Sequence, residues 1–583
     1  MTTQEVTASQ IGDVLRVAPA RVTPRTFSWR ALVAPTLAFS VVAAYFVIRT
    51  LLQVVPEGDA TLHLYMMETI ANGHLPRVIP HFAAIVSPGG EIEAYFPYSY
   101  TPLYHLVGAG FFKIGGESAV LMMGPLCAGA IAVGIVYLLR PHPWPAIALA
   151  IALIFLHWLT QPIMTWVFME PMMIAFYVGG LAFYQRSWSE RSRRHALLAG
   201  LCFGLAVATR QAALLYVAFV AVHAGSSLAI EAWRGARRDV VRAVFGHHAC
   251  MFAVAALVSL PFLLYLVSMT GTVGYGQFAL PGLAPHLTAD PEANGYLSSI
   301  STPDASAVDW LRGFWSATLY VTRWQPPVIN YLPIVLFVAG MVFLVRRGDR
   351  SSLFLATYTP VHLLCEMTQY MTIHGNWRYI VGSRVLFYAV VGLGIWWVVT
   401  CTYRFVSQRL TPGSMAAGAV SGALVIAAIA PMFVTPGLVD YLVHQEESRT
   451  EKGRAYRELG AFVQEHVPED ALILSGRWYS SGWYLRRDYT WITYFGNNWV
   501  IDAIGTRSPE AAREVLRRYG VDYVVIQSPP PAYVDQMPAD GLRQVLLDDL
   551  DHFQLLFRNE RVRLYRFWPD GVPTRGIQAG AQG

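Results

Sequence analysis

Lysine is nearly absent from this 583-residue chain: only Lys113 and Lys452 occur, so almost all the positive charge is arginine. Charge of either sign is also scarce. Asp, Glu, Lys and Arg together make 14% of the residues, against roughly 25% in a soluble domain. That excludes an ordinary soluble protein over most of the length. The five cysteines, Cys127, Cys202, Cys250, Cys365 and Cys401, all fall in apolar segments. None stands in the polar C-terminal region and no pair has CxxC spacing, which excludes a disulfide framework and a zinc or thiol-redox motif. A glycine-rich phosphate loop and an internal repeat are absent too. The choice of arginine over lysine points to a GC-rich, bacterial genome.

Apolar residues are what is abundant, at 54%, with a mean hydropathy of +0.39. The net charge of +5 would suit nucleic acid, but outside the polar C-terminal region most of the arginine sits in short loops between apolar runs. That is the bias that orients membrane proteins, so no nucleic-acid partner is expected. About 30 polar residues precede the first apolar run, and that run has no clear small-residue cleavage site. This predicts a retained anchor, not a signal peptide.

Runs of spanning length fall near 31–55, 118–140, 143–161, 167–185, 195–209, 211–232, 249–268, 327–345, 352–372, 382–403 and 413–435. The run 101–115 is shorter and follows Thr101-Pro102; it reads as a half-buried helix lying against the membrane. With the N-terminus inside, alternation puts Arg140, Arg186 to Arg194, Arg234 to Arg242, Arg346 to Arg350 and Arg404 to Arg409 all inside. An odd count then places the C-terminal region outside. The expected organisation is a cytoplasmic segment 1–30, a membrane module 31–445 with an external loop 56–117, an extracytoplasmic domain 446–570 and a disordered tail 571–583. In the domain, the sequence predicts an amphipathic helix from about Glu451, a strand Ala471 to Gly476, a helix capped by Ser508 with Pro509 in its first turn and ended by Gly520, a strand Val521 to Gln527, and a hairpin turning at Asn559.

The external loop opens "GDATLHLYMMETIANGHLP" and continues "AYFPYSYTPLYHLVGAGFFKIGG". An acid, a helix, a Gly-x-Leu-Pro-like turn, a Tyr-Pro element and a membrane-lying helix ending near Gly-Gly resemble the GT-C glycosyltransferases. That superfamily includes protein O-mannosyltransferases, lipid A aminoarabinose transferases and oligosaccharyltransferase catalytic subunits. "DATLH" stands where many relatives have Asp-Glu, so the usual neighbouring acid is missing. The resemblance implies a polytopic α-helical membrane protein of about eleven transmembrane helices, GT-C-like, with a C-terminal extracytoplasmic α/β domain. It implies an enzyme of a bacterial plasma membrane that takes a polyprenyl-phosphate-linked sugar donor to a lipid, glycan or protein acceptor in cell-envelope glycan biosynthesis.

Such transfer needs a base for the acceptor hydroxyl and cations for the phosphate. Asp59 is expected to be the base; its alternative is a solvated carboxylate at a helix start. Glu170, an acid inside an apolar run, is expected to be a second catalytic acid or else to pair with a neighbour. His63, four residues after Asp59, shares its helical face and would orient Asp59 or ligate a divalent metal with it. One Asp and one His make no metal signature, and His74, His81 and His105 are irregularly spaced, so the metal stays open. Arg210, Arg323 and Arg378 are expected phosphate ligands, with interfacial anchoring as the alternative. Tyr98, with Tyr95 and Tyr100, would stack on sugar or lipid, or sit in an aromatic belt. Two other functions remain open: a lipid or glycan transporter, and a non-catalytic scaffold. A transporter would carry charges deep in several spans or repeated halves. Here the halves do not resemble each other, and the special residues are placed near one face.

Overall fold

A computed structural model describes residues 30–53, 55–56, 59–74, 85–94, 100–157, 160–233, 238–270, 331–372, 381–409, 419–420, 422–423, 446–475, 478–487, 489–491, 509–527, 549 and 551–573. In chain order the membrane module runs α1 (Arg30–Gln53), α2 (Asp59–Ala71), β1 (Ile85–Val86), β2 (Ile92–Ala94), α3 (Leu103–Leu121), α4 (Met123–Leu139), α5 (Trp144–Leu156), α6 (Gln161–Thr165), α7 (Glu170–Glu190), α8 (Arg193–Thr209), α9 (Ala213–Trp233), α10 (Arg238–Thr270), α11 (Leu332–Arg347), α12 (Arg350–Thr372) and α13 (Val381–Arg409).

Ten of the eleven expected apolar segments are helices; the eleventh, 413–435, lies almost wholly outside the described residues. Length and hydropathy alone qualify four described helices to cross a membrane: Leu32–Leu51, Ala213–Ile230, Val241–Ser268 and Val381–Gln408. A fifth qualifies if α3 and α4, which meet at 78°, are one broken span. The others are shorter or more polar. The 13 residues of α5 reach only about 20 Å at 1.5 Å per residue, against roughly 30 Å of hydrocarbon. The run 101–115 lies in α3, whose helical geometry breaks at Gly115 and Gly116. Gly116, at φ 60 and ψ −149, takes a conformation closed to side-chain-bearing residues.

The helix interfaces use small residues. A Cβ on Gly394 would stand 2.0 Å from the Leu336 carbonyl oxygen, and one on Gly340 would stand 2.2 Å from the Val390 carbonyl oxygen. Here α11 and α13 touch backbone to backbone, the close approach that small residues permit in membranes. Gly394→Ala is expected to cost about 1–3 kcal/mol by overpacking. A thermal melt in detergent followed by tryptophan fluorescence should show a lower Tm, and an unchanged melt would refute the tight crossing.

The arginine-rich turns gather at one end of the bundle. Arg347 donates to the Pro141 carbonyl, Arg350 donates to the Ser189 carbonyl at 2.9 Å, and the Arg186 guanidinium lies 5.0 Å from the Tyr137 ring. Segments 140–142, 186–190 and 346–350 are therefore neighbours.

The C-terminal region continues α14 (Glu446–His466), β3 (Ile473–Ser475), α15 (Trp478–Leu485), β4 (Tyr489–Trp491), α16 (Pro509–Arg518), β5 (Tyr523–Gln527), β6 (Phe553–Arg558) and β7 (Val562–Phe567). Its sheet has the order β4-β3-β5-β7-β6, parallel through β4, β3 and β5 and antiparallel through β5, β7 and β6. Period-2 alternation splits the strands between two faces. Ile473, Tyr523, Val525, Val562 and Leu564 pack with Tyr456, Leu459 and Val463 of α14. Leu472, Leu474, Val524, Tyr565 and Phe567 pack with Ala512 and Leu516 of α16. Gly520 ends α16 at φ 63. Asn559 sets the hairpin: its Oδ1 accepts from Val562 N at 2.9 Å. The strands β1, β2 and β4 and helix α15 were not expected from the sequence. Ser508 and the segment 574–583 lie outside the described residues.

Candidate active site at the loop end of the bundle

Asp59 opens α2 and is half-buried, while Ala60 through Met67 are all buried. A 13-residue helix with eight consecutive buried residues must be enclosed on every side. α3 supplies one wall, where Gly108 receives Met67: a Cβ there would meet the Met67 Sδ at 2.3 Å. The C-terminal region supplies the other. Leu62, Tyr65 and Met66 share one core with Leu459, Trp483 and Tyr484. Tyr484 Oη donates to the Pro56 carbonyl at 2.6 Å, and Arg486 pairs with Glu68 at 2.6 Å. The Arg486 guanidinium also covers the Trp483 ring at 4.4 Å. Farther out, Gly89 N donates to the Arg518 carbonyl at 2.8 Å.

His63, one turn along from Asp59, is buried and bonds His105 through Nδ1···Nε2 at 3.0 Å. The rings of Tyr100 and Tyr104 stand edge-on to His63, with centroids at 5.5 and 5.6 Å. Two imidazoles sharing one hydrogen bond need one nitrogen to donate and the other to accept, so the pair holds at most one extra proton without like-charge repulsion. Among the described residues no group of three or more His, Cys, Asp or Glu side chains could hold a metal ion.

Glu170 starts α7 and Arg210 stands at the break between α8 and α9, with extended backbone at φ −153. Their side chains, 3% and 5% exposed, form an ion pair. Tyr104 lies within electrostatic reach of Glu170, which links this pair to the His63 cluster. Of the two readings of Glu170, pairing with a neighbour is the arrangement displayed. Tyr98, Arg323 and Arg378 lie outside the described residues.

Below this layer stands a second one that the sequence reading missed. Tyr216 Oη donates to Glu366, which also accepts from Ser383 N at 2.5 Å. His362 lies 3.4 Å from Glu366 and bonds Tyr177 Oη at 2.8 Å, and Tyr177 bonds Tyr358. Deeper still, Tyr184 bonds His223 at 3.0 Å and His223 bonds Thr357 at 2.9 Å. Polar groups thus follow α7 at Glu170, Tyr177 and Tyr184, about 21 Å along its axis. The expectation that special residues keep to one face does not hold. Glu366 sits in "HLLCEMTQ", an acid in an apolar run, so the rule that picked out Glu170 would have found it.

No family model and no curated protein matches this sequence. Solved structures do match its shape. The oligosaccharyltransferase AglB of Archaeoglobus fulgidus, in complex with an inhibitory peptide and a dolichol-phosphate, superposes at TM-score 0.58 with 13% identity, over 94% of this chain and 76% of that one. ArnT of Cupriavidus metallidurans, bound to undecaprenyl phosphate, superposes at TM-score 0.52 with 13% identity, over 91% of this chain and 97% of that one. Both likenesses take in bundle and C-terminal region together, and the chain therefore has the fold of these two structures.

Proposed function

We propose that this protein is an integral-membrane glycosyltransferase that moves a sugar from a polyprenyl-phosphate donor to an acceptor hydroxyl on the extracytoplasmic face. The observation that carries the reading is a fold likeness over 91–94% of the chain to AglB, solved with dolichol-phosphate, and to ArnT, solved with undecaprenyl phosphate. Asp59 takes the proton of the acceptor hydroxyl. The acceptor oxygen bonds to the anomeric carbon as the bond from that carbon to the phosphate oxygen breaks, and prenyl phosphate leaves. Arg210 steadies the leaving phosphate, and Glu170 holds the guanidinium in place. A guanidinium has five N–H donors, so one ion pair leaves it able to share with a phosphate.

Purified protein incubated with synthetic prenyl-phospho-sugars and a hydroxyl acceptor should release prenyl phosphate. Absence of release across the common sugars would overturn the reading. The deep polar groups at Tyr177, His362, Tyr184 and His223 favour transport as a second reading. Protein in vesicles that moves a labelled prenyl-phospho-sugar across the bilayer, without releasing prenyl phosphate, would decide for it.

Orientation is part of the proposal. The arginine-rich turns at one end of the bundle support that end as the inner one, with Asp59 and the C-terminal region outside. A reporter fused after residue 445 should read external and one at Arg191 cytoplasmic; an internal C-terminal region would divide the proposed site across the membrane.

A further inference from the structure

Glu366 is 1% exposed, on a helix of a membrane-type bundle. A buried carboxylate is costly unless neighbours satisfy it, and three helices supply those neighbours. Tyr216 comes from α9, Ser383 N from the first turn of α13, and His362 from the preceding turn of α12 itself. His362 passes the linkage to Tyr177 on α7 at 2.8 Å. One carboxylate thereby ties α7, α9, α12 and α13 at a single level.

Each of the two donors to Glu366 stands beside a buried arginine. Tyr216 lies in the first turn of α9, within electrostatic reach of Arg210. Ser383 directly precedes Arg384, which is 1% exposed and within electrostatic reach of His157. A carboxylate at the first turn of α13 also meets the positive end of that helix, a favourable placement. Two helix starts, each with a buried arginine at or beside it, are therefore registered against one anion.

Glu366 itself has no room for a substrate. A Cβ on Gly382 would lie 3.0 Å from both His362 Nε2 and Tyr216 Oη, so the cluster is closed to anything larger than glycine on that side. It acts through what it holds.

We infer that Glu366 is a positioning residue: it sets Arg210 and Arg384 to receive the phosphate of a prenyl-phosphate ligand. This rests on the glycosyltransferase reading. Glu366→Gln keeps the size and removes the charge. Its amide oxygen can accept from Ser383 N while its NH2 donates to the Tyr216 hydroxyl, which also accepts, so both neighbours keep a partner and the anion is lost. Glu366→Asp keeps the charge. Tyr216→Phe removes one of the bonds to Glu366 and leaves its charge.

The test uses the full chain in detergent, with a synthetic prenyl phosphate as binding probe and a prenyl-phospho-sugar for turnover. Glu366→Gln should raise the Kd for prenyl phosphate and the KM for donor by about tenfold, the size of one charge-assisted hydrogen bond. Its kcat should fall far less than that of Asp59→Asn, because the general base is untouched and only the hold on the leaving phosphate is weakened. Glu366→Asp should recover part of the affinity. Tyr216→Phe should move Kd and KM in the same direction by a smaller factor, and it carries the test if Glu366→Gln does not fold. Monodisperse variants with a lowered Tm but wild-type Kd and KM would overturn the inference and leave Glu366 a purely structural residue. A wild-type protein that neither binds prenyl phosphate nor turns over donor would instead remove the glycosyltransferase reading, and this inference with it.

Discussion

Asp59→Asn is expected to slow sugar transfer by roughly 100-fold or more, the usual scale for loss of a general base. The amide keeps the shape and a hydrogen-bonding oxygen but cannot take the acceptor's proton. Affinity for prenyl phosphate should be unchanged, because the proposed phosphate ligands are arginines elsewhere in the bundle. A loss confined to kcat is the pattern of an interaction made at the transition state. Asp59 opens a helix whose next eight residues are buried between α3 and the C-terminal region, so its main chain is held by packing that the substitution does not touch. Transfer at the wild-type rate by Asp59→Asn would return Asp59 to a helix-start carboxylate and pass the role of base to another group. His63→Ala is expected to give a small drop that chelators do not deepen. A large drop restored by added divalent metal would put a metal at Asp59 and His63 in place of a simple base.

The second large effect belongs to Arg210 and Glu170. Their side chains are 5% and 3% exposed and ion-paired. Arg210→Met alone leaves a buried carboxylate without its countercharge, which costs about 3–5 kcal/mol. Glu170→Gln alone leaves a buried guanidinium in the same position. The double variant leaves no unpaired buried charge and should recover part of the loss in a thermal melt, the remainder being the cost of a Gln amide in a buried site. Prenyl phosphate affinity should behave differently. It falls with Arg210→Met and is not recovered in the double variant, because the phosphate needs the guanidinium. Additive losses of stability in the double variant would show that the two residues do not act as a pair.

Features set by local chemistry were readable from the sequence. Pro509 starts α16 and Gly520 ends it because proline suits a first helical turn and glycine a positive φ. Asn559 turns the hairpin because its side chain bonds the backbone of Arg561 and Val562. The helix α10 was read short, from 249, because a search for apolar windows discards its polar start at Arg238. The 13-residue α5 was read long because apolar composition does not mark where a helix stops. Partners distant in sequence were unreadable. His63 meets His105 42 residues away and Tyr216 meets Glu366 150 residues away. Such pairs follow from how helices cross, which no spacing within one segment encodes. Asp59 and Glu170 stood out because acids beside or inside apolar runs are rare. Glu366, inside the apolar stretch 352–372, meets the same test.

The wall that the C-terminal region gives to α2 has a consequence for how the protein is made. Tyr484 and Trp483, which complete the packing of Leu62 and Tyr65, are synthesised about 400 residues after them. At a translation rate of roughly 5–20 residues per second that gap lasts on the order of 20–80 s. Through that interval the helix carrying Asp59 has only one of its two walls, and a buried-type surface with Met66, Tyr65 and Leu62 waits for helices not yet made. The nascent chain therefore completes its proposed active site last, and a ribosome that stops short of Trp483 leaves a membrane bundle with the site half-built.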